Sequence, residues 1–448
     1  MKLISLEVEG YKNLKNKKLV KINFEKCDNY VALIGLNGCG KSNILEAISL
    51  IFSNLYHNTS ISFKYEIVYE LKNQKIIVRN GTLKLSGETK NVPKSKIPDY
   101  LPDNIITSYS GEEMRLWKEI YFESYSELFR NIKNLKSFIP EMLYVNKFSW
   151  EFALISLLCL ENKNTEYFIK NILKISGDIE VEFKIDTSKY EIYEKNEALS
   201  FIKRLVELKD KNNRIHINTI KTLDIGTKNK REFAQKIFFY LFITGMPVRD
   251  NKKIYVDKII QDTQIHFNDI DLTKLSEGEK KLILIQTITN VLANERTLIL
   301  LDEPDAHVHV DRKKEIVDII DIPEHFTVFT THSPTILHCI KDENVRIIRD
   351  SPETGAEVVY IDKMKALSEI TNDGFSFTDA TLAISSNKPL LLVEGKGDMA
   401  YIKKAISVLN KEIILDIDIL PFGGAANAND FIEEIIRCIP EKKWFSPL

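Results

Sequence analysis

Apolar and polar positions alternate with period two at the start of the chain. Residues 3–8 (LISLEV) and 19–24 (LVKINF) predict two half-buried strands around a turn at 10–13. Residues 30–34 (YVALI) are apolar without a break, the pattern of a fully buried strand. Over 43–52 (NILEAISLIF) the spacing changes to that of a helix. Alternation returns across 61–87, with Asn80-Gly81 as a hairpin turn, so a small antiparallel sheet is expected. The middle third reads as mostly helical. Residues 112–136 carry Leu116, Ile120, Tyr121, Leu128 and Phe129 on one broad face. Further helices are expected near 149–173, 194–208 and 231–244, with strands at 179–185 and 214–217. Later come a helix over 276–292, a strand at 297–302, a helix over 311–320 and a strand at 326–331. After a mixed stretch at 363–386, the order is strand, helix (398–409), strand (413–420), helix (429–438).

Between the third strand and its helix lies Gly35-Leu36-Asn37-Gly38-Cys39-Gly40-Lys41-Ser42, which fits G-x-x-x-x-G-K-[ST]. A loop from a strand into a helix N-terminus converges backbone N–H groups on phosphate. Asn37, Gly38, Cys39, Gly40, Lys41, Ser42 and Asn43 are therefore the candidate nucleotide-binding residues. Lys41 would reach the β/γ-phosphates, and the Ser42 hydroxyl would bind Mg²⁺.

A second chemical cluster starts at Leu275-Ser276-Glu277-Gly278-Glu279-Lys280-Lys281. Ser276 and Glu279 have capping-box spacing, and a helix N-terminus is itself an anion site. The strand 297–302 runs into Asp302-Glu303, putting two carboxylates at a strand's C-terminal end, where ligands of open α/β sheets bind. Asp302 suits Mg²⁺ and Glu303 suits a hydrolytic water. His332 stands at the end of the strand 326–331, placed to meet a γ-phosphate.

Bulk properties narrow the class. The 448 residues are 44% hydrophobic and 28% charged, with formal net charge −2, so a uniformly basic nucleic-acid binder is excluded. Basic clusters at Lys12, Lys15, Lys17, Lys18, Lys21 and at Lys228, Lys230, Arg231 read as solvated faces. The five cysteines lack metal-ligand spacing, which suits a reducing cytosol. The N-terminus lacks the form of a signal peptide, and no apolar run reaches bilayer length. A cytoplasmic location and no membrane partner are expected.

Together these motifs resemble the ABC-type ATPase heads of the SMC/RecF group. Gly35 to Ser42 matches Walker A, Leu275 to Lys281 the ABC signature with Glu277 where many members have glycine, and 298–303 Walker B. Asp305 to His309 falls in the D-loop region, and His332 matches the switch histidine. The resemblance implies that Lys12 and Asn13 contact nucleotide. It also implies a head-to-head dimer or higher oligomer, in which Ser276 and Gly278 hold the γ-phosphate bound by the partner copy.

The strand into Glu394-Gly395-Lys396-Gly397-Asp398 is similar to the first turn of a Toprim domain, with Glu394 as a Mg²⁺ ligand. An ABC ATPase followed by Toprim is the layout of the OLD (overcoming lysogenisation defect) family, which includes Gabija GajA-like anti-phage effectors. Glu303-Pro304-Asp305-Ala306-His307-Val308-His309 matches a run found in OLD-like members. Asp416-Ile417-Asp418 lies in the second strand, misplaced for the Toprim Asp-x-Asp pair, so that half is expected to be incomplete.

The expected fold class is α/β: a P-loop ATPase head of ABC/SMC-RecF type with a largely helical insertion, then a partial Toprim-like domain. The expected bounds are 1–365 for the head (insertion about 57–270), 366–387 for a linker and 388–448 for the partial domain. The cofactors implied are ATP and Mg²⁺; the partners are a second copy, DNA and a defence-system protein. Three functions follow: a phage-defence ATPase with Toprim nuclease activity in intact relatives, a regulatory ATPase gating a separate nuclease or toxin, or a RecF-like repair ATPase.

Overall fold

The computed structural model describes residues 1–14, 20–109, 116–130, 140–193, 196–245, 248–249, 255–256, 258–268, 270–272, 275–351, 355–360, 390–409 and 418–421. The chain divides into two compact units. One comprises Met1–Thr331 with Glu343–Tyr360, the other His332–Asp342 with Ile361–Leu448.

The first unit is built on a seven-stranded sheet. Its order is Gly355–Val359, Val345–Ser351, Tyr30–Ile34, Phe326–Thr331, Thr297–Asp302, Asn104–Tyr109 and Met142–Tyr144. All neighbours run parallel except the first pair. The strands Tyr30–Ile34, Thr297–Asp302 and Phe326–Thr331 are buried at every position, which explains the unbroken apolar sequence of the first and the aliphatic and aromatic interiors of the other two. Leu301 pairs with Phe329, and Thr331 with Ile34, so their C-terminal ends lie side by side. The P-loop and the two carboxylates therefore share one sheet edge.

A five-stranded antiparallel sheet completes the P-loop half, in the order Val20–Asn23, Lys2–Glu9, Lys64–Leu71, Gln74–Arg79, Thr82–Leu85. The helix Lys41–His57 shares one core with both sheets: Ile44, Ile48 and Phe52 are buried with Leu6, Tyr65, Tyr69 and Val78 and with Val31, Leu298 and Val328. Phe52 and Tyr69 place their rings 5.6 Å apart. Asn80 and Gly81 both have positive φ, as the expected hairpin requires. A second such turn, Lys72-Asn73, joins the preceding pair of strands. Ile48 is fully buried in this core. Ile48→Ala should destabilise the chain by about 2–5 kcal/mol in denaturant unfolding.

The expected insertion at 57–270 does not stand apart from the head. Asn104–Tyr109 pairs along its full length with Thr297–Asp302, and Met142–Tyr144 extends the same sheet. Helix Trp150–Leu160, buried at ten of its eleven positions, packs against Lys230–Gly245 and Glu277–Thr287. The interior of that helix is Ala, Leu, Ile and Phe, so it fits only inside a core. An antiparallel sheet of Arg214–His216, Ile179–Ile185, Ile260–Phe267 and Ile270–Asp271 lies alongside. The helix expected over 149–173 breaks at Glu161, which takes left-handed φ. Within 112–136, Trp117–Tyr121 is a π-helical turn leading into helix Phe122–Arg130, and 112–115 and 131–136 lie outside the described residues.

In the second unit, Leu390–Val393 and Asp418–Pro421 pair parallel, with helix Lys396–Leu409 between them in the chain. The Gly395 N–H donates to Asp398 Oδ2 at 3.0 Å, closing the turn after Glu394. The linker 366–387, Asp416, Ile417, Gly423, Gly424 and the helix expected at 429–438 lie outside the described residues. Among the described residues no helix is long and apolar enough to cross a membrane.

Candidate ATP-hydrolysis site

The helix after the P-loop opens at Lys41, with Gly40 in the left-handed region at φ +106°. Gly35 has no room for a side chain: a Cβ would stand 2.1 Å from the Ile348 carbonyl oxygen and 2.7 Å from Cys39 Sγ. Lys41 is buried, and its Nζ donates to the carbonyls of Gly35 and Leu36 at 2.8 and 2.9 Å. Cys39 packs inward, and burial raises its thiol pKa, so it is an apolar filler of the loop. Asn13 clamps the loop from outside. Its amide donates to the Gly38 carbonyl at 3.3 Å, and it accepts from Asn43 Nδ2 at 2.6 Å.

Lys12 turns to the P-loop helix. Its Nζ lies 2.6 Å from Glu46 Oε2, which also accepts from the Tyr11 hydroxyl at 3.0 Å. Glu46 is almost fully buried and needs a counter-charge, so the lysine expected at the nucleotide is engaged by the P-loop helix.

The carboxylates converge on this loop. Ser42 Oγ donates to Asp302 Oδ1 at 2.9 Å, and Thr330 Oγ1 donates to the same oxygen at 2.7 Å. Asp302 is only 5% exposed; burial raises its pKa, and the two hydroxyls partly offset that. The Thr330 oxygen also accepts from the Glu303 N–H at 2.9 Å, tying both acids to the neighbouring strand. Glu303 lies in the left-handed region at φ +46°, a conformation costing about 1 kcal/mol for a residue with a Cβ. It lines a cleft of about 400 Å³ with Asn37, Gly38, Gly40, Lys41, Ser42 and Asn43. Ser42 in that wall and Asp302 hydrogen-bonded behind it are two adjacent hard oxygen donors that fit Mg²⁺, which binds through few protein ligands and keeps its waters.

Helix Glu277–Thr287 carries the expected capping box: the Ser276 N–H and hydroxyl both donate to Glu279 Oε2 at 2.9 Å, and the Glu279 N–H to Ser276 Oγ at 3.2 Å. Gly278 is pressed against the turn after Glu303; a Cβ there would stand 2.7 Å from the His307 carbonyl oxygen. Asp305 is buried and anchors that turn, accepting from Thr331 Oγ1 at 2.9 Å and pairing with Lys313 at 3.1 Å.

Two residues of this cluster escape sequence reasoning. Thr330 reads only as a β-former in FTVFTT, and Lys281 only as the last residue of the run that matches the signature. Lys281 is instead half-buried, donates to the Glu303 carbonyl, and has its pKa pushed down to about 8 by desolvation against the pull of Asp305, Glu303 and Asp302.

Other expected residues lie elsewhere. His332 directly follows Thr331 but belongs to the second unit. His309 is exposed and pairs with Asp311 at 3.3 Å, and among the described residues no group of three His, Cys, Asp or Glu could hold a metal. Glu394 is exposed in the second unit. Asp418 pairs with Leu390, so it sits at the opposite end of that strand pair from Glu394, about 13 Å away at 3.3 Å per residue.

The family model described as RecF/RecN/SMC N terminal domain matches residues 2–355. The chain belongs to that family. The SMC/RecF-like head fold and ATP use follow from membership. The chain is 25% identical over 458 residues to the Retron Vc95 probable ATPase of Vibrio cholerae serotype O1 biovar El Tor, covering 88% of this chain and 82% of that protein. It is 21% identical over 426 residues to the Old nuclease of Escherichia phage P2, covering 88% and 68%. It is 24% identical over 357 residues to the DNA replication and repair protein RecF of Rickettsia conorii, covering 71% and 91%.

Proposed function

We propose that this chain is an OLD-type ATPase of bacterial phage defence, hydrolysing ATP with Mg²⁺ at sites shared between two copies and responding to DNA. The observation that carries the ATPase chemistry is the cleft where Lys41, Ser42 and Glu303 meet, with Asp302 hydrogen-bonded to Ser42 beside it. Lys41 and the loop N–H groups hold the β/γ-phosphates. Ser42 and Asp302 would hold Mg²⁺, which neutralises charge on the transferring phosphoryl group. Glu303 orients the attacking water and takes its proton. Ser276 and the Gly278 N–H of a second copy hold the γ-phosphate from the far side. His332, one peptide bond beyond Thr331, is the proposed γ-phosphate contact within the chain.

The defence role is supported by similarity to a retron ATPase and to the Old nuclease. A second reading, a regulatory ATPase gating a separate nuclease or toxin, is favoured by the second unit. There Glu394 and Asp418 lie at opposite strand ends, a poor arrangement for Mg²⁺-assisted phosphodiester cleavage. Purified protein should turn over ATP with Mg²⁺ and stop on chelation, while supercoiled plasmid stays intact. Mg²⁺-dependent nicking that disappears in Glu394→Ala would return the nuclease to this chain.

A further inference from the structure

We propose that Lys281 is a positioning residue that ties the signature helix to Glu303, so that engagement of a second copy's nucleotide at the helix N-terminus sets the hydrolytic carboxylate of the same chain. This rests on the ATPase reading above and adds to it a residue and a route.

Glu303 holds a left-handed conformation that its own side chain disfavours, so its main chain must be pinned by its neighbours. Its N–H is taken by Thr330 on the adjacent strand. Its carbonyl accepts from Ala306 N at 3.1 Å within the turn and from the Lys281 ammonium. Lys281 therefore reaches this carbonyl from another element. It stands five residues beyond Ser276, on the helix whose N-terminus carries Ser276 and Gly278.

That helix touches the Glu303 turn at a second point. Gly278 lies flat against the His307 carbonyl and Val308 Cα, leaving no slack for a side chain. Two contacts one helical turn apart make helix and turn a single lever. A shift at the helix N-terminus is transmitted to the carbonyl that Lys281 holds. The charged groups facing Lys281 are Asp302, Glu303 and Asp305 at the strand end and Lys313 on the following helix. Those three acids keep an ammonium in place despite its desolvation.

The test compares wild type, Lys281→Met, Lys281→Arg, Glu303→Gln and the double variant Glu303→Gln/Lys281→Met for ATP affinity and turnover. Lys281→Met should lower kcat by about 30- to 100-fold and leave the Kd for ATP within about twofold. Lys281→Arg should recover a large part of kcat. In the Glu303→Gln background, adding Lys281→Met should cost nothing further, because both changes disable the same carboxylate. If Lys281→Met does not fold, Lys281→Gln, uncharged and shorter, carries the same comparison. A kcat within about threefold of wild type in the folded variant, or a loss that multiplies with that of Glu303→Gln, overturns the inference. Absence of turnover in wild type would instead strike the ATPase reading itself.

Discussion

Glu303→Gln should keep ATP binding and lose turnover, with kcat falling by the order of 10²- to 10³-fold. The amide has the shape of the carboxylate, and the hydrogen bonds that fix Glu303 are made by its main-chain N–H and carbonyl, which the substitution leaves intact. What disappears is the ability to take a proton from water. Lys41, Ser42 and Asp302 are unchanged, so the Kd for ATP should stay within a few-fold of wild type. If ATP holds two copies together and hydrolysis releases them, Glu303→Gln should also accumulate as an ATP-dependent dimer in size-exclusion chromatography. Turnover within about threefold of wild type would remove Glu303 from the catalytic role.

The parts of the site legible in the sequence are those fixed by local rules. Tyr30–Ile34 is an uninterrupted apolar run and Thr297–Asp302 holds four aliphatic residues in a row, the usual pattern of a strand buried on both faces. The capping box at Ser276 and Glu279 is set by spacing alone and forms as expected. The illegible parts depend on tertiary partners. Asn104–Tyr109 carries Asn104, Thr107 and Ser108, too polar to announce a central strand; Thr107 is tolerated because its hydroxyl donates to the Leu300 carbonyl at 2.8 Å. Thr330 and Lys281 become site residues only when a strand and a helix distant in sequence are brought beside Glu303. The ion pair of Lys12 with Glu46 is likewise illegible, because no local pattern reveals the burial of Glu46 on the P-loop helix. In the second unit, local order was again legible as strand, helix, strand. The separation of Glu394 from Asp418 follows from parallel pairing, which places equivalent strand ends together.

Mixing two inactive variants should restore activity if each site is shared between copies. Lys41→Ala removes the phosphate-binding lysine from a chain's own P-loop. Ser276→Asp keeps a good helix cap, because aspartate caps as well as serine. It also sets a carboxylate where the partner's γ-phosphate is to be held, and like charges there oppose closure. Each variant alone should show turnover at least tenfold below wild type, since every dimer it forms has both sites damaged. In an equal mixture, half of the dimers pair one variant with the other. In such a dimer one site receives both damaged parts, and the other receives an intact P-loop from the Ser276→Asp chain and an intact signature from the Lys41→Ala chain. With two equivalent and independent sites, the mixture should recover roughly a quarter of wild-type turnover. A site complete within one chain gives no recovery at any mixing ratio, because each chain keeps its own lesion. Recovery that follows subunit exchange, measured at several ratios, therefore decides whether the helix N-terminus at Ser276 serves the partner's nucleotide.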